Sequence, residues 1–396
     1  MMLEQLERLP ADPILGLAAA ARADDNPDKV DLTLGIYMNE EGVCPVFRAV
    51  TEAQAALAAE EVSKAYLPPE GVAGFNTGMQ ELVLSADHPA LVDGRVSSVQ
   101  APGGCGGLRI GAEIIHAASP GARVWVSDPT WPVHLPLLGS VGLSFETYRY
   151  YEPASHGVNF DGMVEDLRQA RSGDVVLLHG CCHNPCGADL SLAQWQVIAE
   201  MAEAQGFMPF VDIAYQGLGD GLEQDAAGLR LLAARLPEMI VAASCSKNMG
   251  LYRERTGATI FIGRTRDNAE ALVSQALVAA RRVYSMPPAH GALIAGRILG
   301  DAALGESWRS ELVDMCGRIN GLRTSLREKL EAASGRDFAF IEKEKGMFSF
   351  LGLSAEQAIR LREEHSVYML NSSRINVAGV NARNIDYLAS AVAKVL

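Results

Sequence analysis

From about residue 100 to residue 264 the chain alternates short β-branched apolar runs with stretches of helical periodicity. The runs fall at 123–127, 174–180, 208–215, 239–246 and 258–263. Short apolar runs separated by helical segments predict a parallel sheet covered by helices, because each parallel crossover needs a connection long enough to bring the chain back. The clearest helix lies between the second and third runs. Ser191 and Gln194 have the spacing of a capping box, Trp195, Ile198, Ala199 and Ala202 share one face, and Gly206 stands where such a helix stops. In sheets of this kind ligands bind beyond the carboxyl ends of the strands.

Past about residue 312 the pattern changes to a long charged helix, a short strand around 347–351 and a closing helix after Asn381. This predicts a smaller α/β unit made of 312–396 and completed by the N-terminal segment 1–44, beside a large domain spanning 45–311. Length points the same way, since 396 residues exceed the roughly 250–300 that a single core organises.

Composition narrows the function classes. The 48% hydrophobic and 21% charged content is that of a globular protein. With 34 Lys and Arg against 48 Asp and Glu, the formal charge of −14 argues against nucleic acid or an anionic membrane surface as partner, because both would be repelled. The apolar run at 14–21 is only eight residues long, and no stretch reaches eighteen uncharged apolar positions, so no membrane span is expected. Seven cysteines, at 44, 105, 181, 182, 186, 245 and 316, lack the spacing of a disulfide framework. They suit a reducing cytoplasm.

The residues that follow the runs carry the candidate chemistry: Asp128 to Trp131, His179 to Asn184, Asp212 to Gly217 and Ser244 to Lys247. Lys247 is the sharpest of them. It ends an apolar run just after the small hydroxyl residues Ser244 and Ser246, with Arg255 eight positions on. A lysine buried there loses proton affinity, which is what an amine needs to form an imine with a carbonyl; a solvated surface charge is the ordinary alternative. The glycine-rich stretch 103–107 precedes a helical pattern and suits a phosphate cradle or a plain structural turn equally. It is not a dinucleotide fingerprint, since Arg109 stands where the third glycine belongs. Cys181, Cys182 and His183 with Cys186 lack a paired C-x-x-C and have no second cluster after them, so no metal site is expected.

In this order and combination, the motifs resemble the class I pyridoxal-phosphate aminotransferases, in the branch that acts on aspartate and aromatic amino acids. The likeness runs from the segment 12–16, Asp12-Pro-Ile-Leu-Gly, to Ser373-Arg374 and Gly379, and includes Ser244, Ser246, Lys247 and Asn248 with Arg255, Thr256 and Gly257. It implies the fold type I architecture of these transferases, with a large domain built on a mostly parallel sheet and a smaller α/β domain. It implies that Lys247 holds the cofactor pyridoxal 5′-phosphate through an imine, and that Asp212 faces the ring nitrogen, oriented by His134. A carboxylate about 4 Å from that nitrogen, at an effective dielectric near 20, stabilises the protonated ring by roughly 4 kcal/mol.

The same resemblance gives other residues their tasks. Tyr215 and Asn184 would hydrogen-bond the phenolic oxygen, and Trp131 and Ala214 would cover the two ring faces. The amides of Gly104 and Cys105, with Ser244, Ser246 and Arg255, would hold the phosphate, helped by Tyr66 of a second subunit. Arg374 would bind the substrate α-carboxylate near the Gly35 backbone, with Trp131 and Asn184 beside the substrate. Arg281 would reach across a homodimer to a side-chain carboxylate. Catalysis would fall to Lys247, Asp212 and Tyr215.

Arg281 implies that aspartate and glutamate are accepted. Met38, Cys44, Ala65, Cys105, Val283 and Met286 make for an adaptable, less hydrated surrounding, and the stretches 32–42, 66–71 and 86–91 resemble the aromatic branch. The expected activity is transfer of the amino group of phenylalanine or tyrosine, and also of aspartate or glutamate, to a 2-oxo acid such as 2-oxoglutarate. The alternative is an aspartate aminotransferase using 2-oxoglutarate or another acceptor such as glyoxylate.

Overall fold

The computed structural model describes residues 2–10 and 12–396; residues 1 and 11 of the predicted N-terminal segment lie outside them. A seven-stranded sheet forms the centre. Its strands are β1 (Val96–Pro102), β2 (Arg123–Asp128), β3 (Ser144–Arg149), β4 (Val175–His179), β5 (Met208–Ile213), β6 (Met239–Ser244) and β7 (Thr256–Ile262). Their spatial order is β1-β7-β6-β5-β4-β2-β3.

All five apolar runs are strands, but the last does not join the parallel set. β7 lies antiparallel between β6 and β1, whereas β3, β2, β4, β5 and β6 run parallel. The reason is length: the connection from Ser244 to Thr256 is too short to carry a crossover helix, so the chain turns back beside the strand it has just left. β1 and β3 escape the hydrophobic pattern. β1 buries Ser98 and Gln100 among its apolar positions, and β3 is an edge strand that exposes Ser144, Glu146, Thr147 and Arg149.

Helices cover both faces, and five of them bear on the site: α1 (Pro13–Ala23), α2 (Gly103–Ala118), α3 (Leu192–Gln205), α4 (Ala302–Ser334) and α5 (Ile385–Val395). In α3 both halves of the Ser191–Gln194 capping box form, and Gly206 closes the helix in the left-handed conformation. The glycine-rich stretch is the first turn of α2 itself, not a loop ahead of it. The long charged helix begins at Ala302, ten positions before the charge pattern announces it, with the Asp301 carboxylate accepting from the Ala303 and Leu304 amides.

α4 serves two cores. Trp308, Leu312, Met315 and Ile319 pack with one face of the central sheet, while Leu326 and Leu330 pack with Val30, Leu32, Leu388 and Val392. Trp308 is fully buried, worth about 4–6 kcal/mol for some 150–250 Å² of ring. Its Nε1 donates to the Asn248 carbonyl at 2.6 Å, which pins the residue after Lys247. The second cluster is closed by a parallel pairing of Val30–Asp31 with Val367–Tyr368 and by the antiparallel strands β8 (Phe348–Phe350) and β9 (Arg374–Asn376).

At Gly257, in β7, a Cβ would stand 2.6 Å from the Gly103 carbonyl carbon and 2.7 Å from the Ala243 carbonyl oxygen, both backbone atoms with no room to yield. Gly257→Ala is therefore expected to lower unfolding free energy by about 1–3 kcal/mol, the range for overpacking. Urea unfolding measures this, and an unchanged midpoint contradicts it.

Candidate active site

The carboxyl ends of β2, β4, β5 and β6 open on a cavity of about 460 Å³. It is lined by Gly35, Gly104, Cys105, Trp131, Asn184, Asp212, Ala214, Tyr215, Ser244, Ser246, Lys247, Arg255 and Arg374. Residues 35 and 374 come from the two ends of the chain, so the cavity forms only when both pack against the sheet.

Asp212 sits one residue before the end of β5, and its Oδ2 is 3.1 Å from Nε2 of the fully buried His134. Burial alone would raise the carboxyl pKa; the His134 hydrogen bond, with the electrostatics of His134, His179 and Lys247, outweighs it and holds the group below its usual value. The relay continues inward. Thr130 Oγ1 lies 2.8 Å from His134 Nδ1 and 3.1 Å from His179 Nε2, and burial pulls His179 down to about 3. One direction satisfies every link: His134 Nε2–H donates to the carboxylate, the Thr130 hydroxyl donates to His134 Nδ1, and His179 Nε2–H donates to Thr130.

Lys247 follows β6 by three residues. Its Nζ lies 4.5 Å from the centre of the Tyr215 ring. Burial lowers its pKa, with Arg255 acting in the same direction and Asp212 and Cys105 against it. Tyr215 is hydrogen-bonded to Asn184; burial raises its phenol and the nearby Arg374 opposes that. Trp131 meets His134 edge-on, with centroids 5.3 Å apart. Beyond Lys247, Ser244 Oγ donates to Ser246 Oγ at 2.9 Å, and Arg255 adopts the left-handed conformation with Nη1 donating to the Tyr252 carbonyl at 2.8 Å. Together with the amides of the first turn of α2, these groups make an anion cradle.

Arg374, in β9, is 2% exposed. Its Nη2 donates to the Thr33 carbonyl at 2.7 Å and its Nη1 to Asn184 Oδ1 at 3.3 Å. Nε is buried without a partner, and burial brings the group down to about 10. Among the described residues no carboxylate pairs with it.

Two residues named from the sequence lie elsewhere. Tyr66 is 91% exposed, and Arg281 is exposed with Nη1 donating to Ser285 Oγ at 2.6 Å. Neither lines the cavity of its own chain. Of the six positions that suggested an adaptable wall, only Cys105 lines the cavity; Met38, Cys44, Ala65, Val283 and Met286 do not. The apolar wall is instead Ile14 and Leu15 from α1, Leu108, and Phe348. His179, Cys181 and Tyr252 also line the cavity unannounced. His179 and Cys181 stand in the strand-end segment already singled out, and Ile14 and Leu15 in the segment 12–16, whereas Leu108, Tyr252 and Phe348 carry no mark of their own. Cys186 points away, with Sγ 3.1 Å from His183 Nδ1. Cys181, Cys182 and Asp225 bring ligand atoms within 4.8 Å of one another. The carboxylate of that trio already accepts the Gly217, Gly219 and Asp220 amides at 2.8–2.9 Å, and Cys181 is pushed up to about 12, so it is a poor metal seat.

An amine of lowered basicity, a carboxylate kept ionised, an anion cradle and an unpaired guanidinium converge on one cavity. These residues fit pyridoxal phosphate, whose aldehyde, ring nitrogen and phosphate call for an amine, a carboxylate and an anion cradle. Known proteins agree. The sequence pattern of "Aminotransferase class I and II" matches residues 27–392. The chain is 45% identical to an aspartate aminotransferase of Salmonella typhi over the full length of both. It is 43% identical to an aromatic-amino-acid aminotransferase of Pseudomonas aeruginosa over 99% of this chain and 98% of that one. The crystal structure of an aromatic-amino-acid aminotransferase from Burkholderia pseudomallei, covalently bound to pyridoxal phosphate, superposes over the whole of both chains with a TM-score of 0.98 at 43% identity. A cavity built at the strand ends by both chain termini and a pattern shared along nearly the whole length place this chain in the class I and II aminotransferase family.

Proposed function

We propose that this protein is a pyridoxal-phosphate-dependent transaminase of aromatic and acidic amino acids, with a 2-oxo acid such as 2-oxoglutarate as acceptor. One observation carries the reading: Lys247, Asp212 with His134 behind it, and the unpaired Arg374 converge on the same cavity from three separate parts of the chain.

When bound, the cofactor supplies an electron sink for the negative charge that develops at the substrate Cα. Asp212 fixes a proton at the ring nitrogen, and its His134 contact keeps the carboxylate ionised for that purpose. The α2 amides, Ser244, Ser246 and Arg255 anchor the phosphate, while Trp131 and Ala214 bracket the ring and Tyr215 and Asn184 orient it. Arg374 takes the substrate α-carboxylate in the forked geometry suited to a guanidinium, close to the Gly35 backbone. Lys247 Nζ, its basicity lowered by burial, is the base that takes the proton from Cα. Ile14 and Leu15 offer apolar surface for an aromatic side chain, which gains a few kcal/mol from burial, about 25 cal/mol per Å².

A second copy of the chain completes the site in this reading. Tyr66 and Arg281 point to solvent in one chain, as do the apolar Val62, Val278 and Val283, and would serve the partner's phosphate and distal carboxylate. The division into a small unit, 1–44 with 312–396, and a large one, 45–311, is supported by the separate cluster of Val30, Leu32, Leu326, Leu330, Leu388 and Val392, whereas Tyr37, Leu312, Met315, Ile319 and Phe348 pack into the cluster of the central sheet. Seven unpaired cysteines support a cytoplasmic setting, and among the described residues no helix is long and apolar enough to cross a membrane. A narrower preference for aspartate is the competing reading, supported by relatives of that name at similar identity.

The purified protein should absorb as a cofactor complex and change its spectrum on adding phenylalanine, tyrosine or aspartate; borohydride reduction and peptide mapping should then label Lys247. Label elsewhere overturns the assignment. A kcat/KM for phenylalanine at least comparable to that for aspartate is expected, and strong discrimination against phenylalanine would favour the aspartate reading. Arg281→Leu should cut kcat/KM for aspartate by about a hundredfold or more, the cost of an unpaired charged partner, and that for phenylalanine by less than about tenfold; equal losses would show that Arg281 does not read the distal carboxylate. Asp212→Asn should lower kcat by about a thousandfold, the equivalent of roughly 4 kcal/mol, measured by single-turnover absorbance.

A further inference from the structure

Arg374 is a buried cation whose nearest compensation is not an acid. Its guanidinium carbon lies 4.5 Å over the centre of the Phe348 ring. Its two terminal nitrogens hold neutral acceptors, Thr33 O and Asn184 Oδ1, and Nε holds nothing. A bare guanidinium at this depth is costly, and a ring face is a means of offsetting that cost without occupying the donors a carboxylate will need.

Phe348 is itself fixed from several sides. It is 2% exposed, and although it belongs to the C-terminal β8–β9 pair it packs into the cluster of the central sheet. Its carbonyl accepts Arg323 Nη2 at 2.7 Å, and the same nitrogen donates to Gly346 O at 2.6 Å. Its ring meets Tyr215 edge-on, 5.9 Å between centroids. Gly35 lies against the ring tip: a Cβ there would come within 2.6 Å of Cζ, so only glycine lets the backbone reach the carboxylate site past this ring.

We infer that Phe348 is a positioning residue for the reaction: its ring face holds the Arg374 guanidinium charged and flat, with the free edge turned to the incoming α-carboxylate. This rests on the assignment of Arg374 to that carboxylate proposed above. Every amino donor and every oxo-acid acceptor carries the group, so Phe348 serves both halves of the reaction and does not discriminate between aromatic and acidic side chains.

The test uses the cofactor-loaded protein with Phe348→Leu, Phe348→Tyr, and 3,5-difluoro- and 3,4,5-trifluorophenylalanine placed at 348, which keep the ring's shape while draining its face of negative potential. Phe348→Leu should raise KM for phenylalanine, aspartate and 2-oxoglutarate alike by about tenfold, equal to about 1.4 kcal/mol, with kcat within about threefold. Tyrosine should restore KM to within about twofold, and KM should climb stepwise with fluorine count. The half-reaction of 2-phenylethylamine, an amine without a carboxylate, should keep its rate, and the cofactor spectrum should not change. An unchanged KM across the fluorinated series overturns the inference, as does an equal loss with 2-phenylethylamine; the fluorinated series decides alone should the leucine variant fail to fold. Turnover by the parent protein reports on the proposed function, and the variant-to-parent ratio of KM reports on Phe348, so the two fail separately.

Discussion

A carboxylate normally gives up its charge when it is buried, and the site depends on Asp212 not doing so. The residue lies at the carboxyl end of a central strand, where the sheet supplies no solvent to stabilise an anion. His134 donates to it at 3.1 Å, and the Thr130 hydroxyl, shared between His134 and His179, holds the His134 ring in place. The burial that pulls His179 down to about 3 keeps this second imidazole a neutral donor. One charge is thus preserved through a chain of hydrogen bonds that runs from the carboxylate through His134 and Thr130 to His179.

The opposite wall solves the mirror-image problem. Arg374 is a buried cation without an acid, and its unsatisfied Nε is what a recognition site for a carboxylate should show. An acid placed beside it would have settled the charge and closed the site. A ring face, a carbonyl and an amide oxygen stabilise it only in part. Between the two walls stands Lys247, whose amine is made less basic by the same exclusion of water. Burial therefore does three different things within one cavity of about 460 Å³, and the neighbours of each group decide which.

Much of this was legible beforehand where local rules apply. The five runs, the Ser191–Gln194 cap and the Gly206 stop depend on periodicity and capping within a few residues, and they stand. Strand direction was not legible for 258–263, because it is set by the length of the connection to Ser244. β1 stayed hidden because Ser98 and Gln100 are buried yet polar: Gln100 donates to the Pro288 carbonyl and Ser98 accepts from Gln80, partners far away in sequence. The wall of the cavity was misplaced for a similar reason. Met38 and Val283 have suitable side chains but the wrong positions, whereas Ile14 and Phe348 arrive from the two ends of the chain.

By itself, the sequence determined the α/β class and the strand-end location of the chemistry, because those follow from periodicity and the order of motifs along the chain, and its family resemblance pointed to the amine, the carboxylate and the arginine that meet in the cavity. Only the tertiary structure decided which charges survive burial and which groups share a cavity. Those outcomes depend on distances of 3–5 Å between residues such as Asp212 and His134, 78 positions apart, and Arg374 and Thr33, 341 apart. No local pattern records such a distance, since it is fixed by how the termini pack against the sheet.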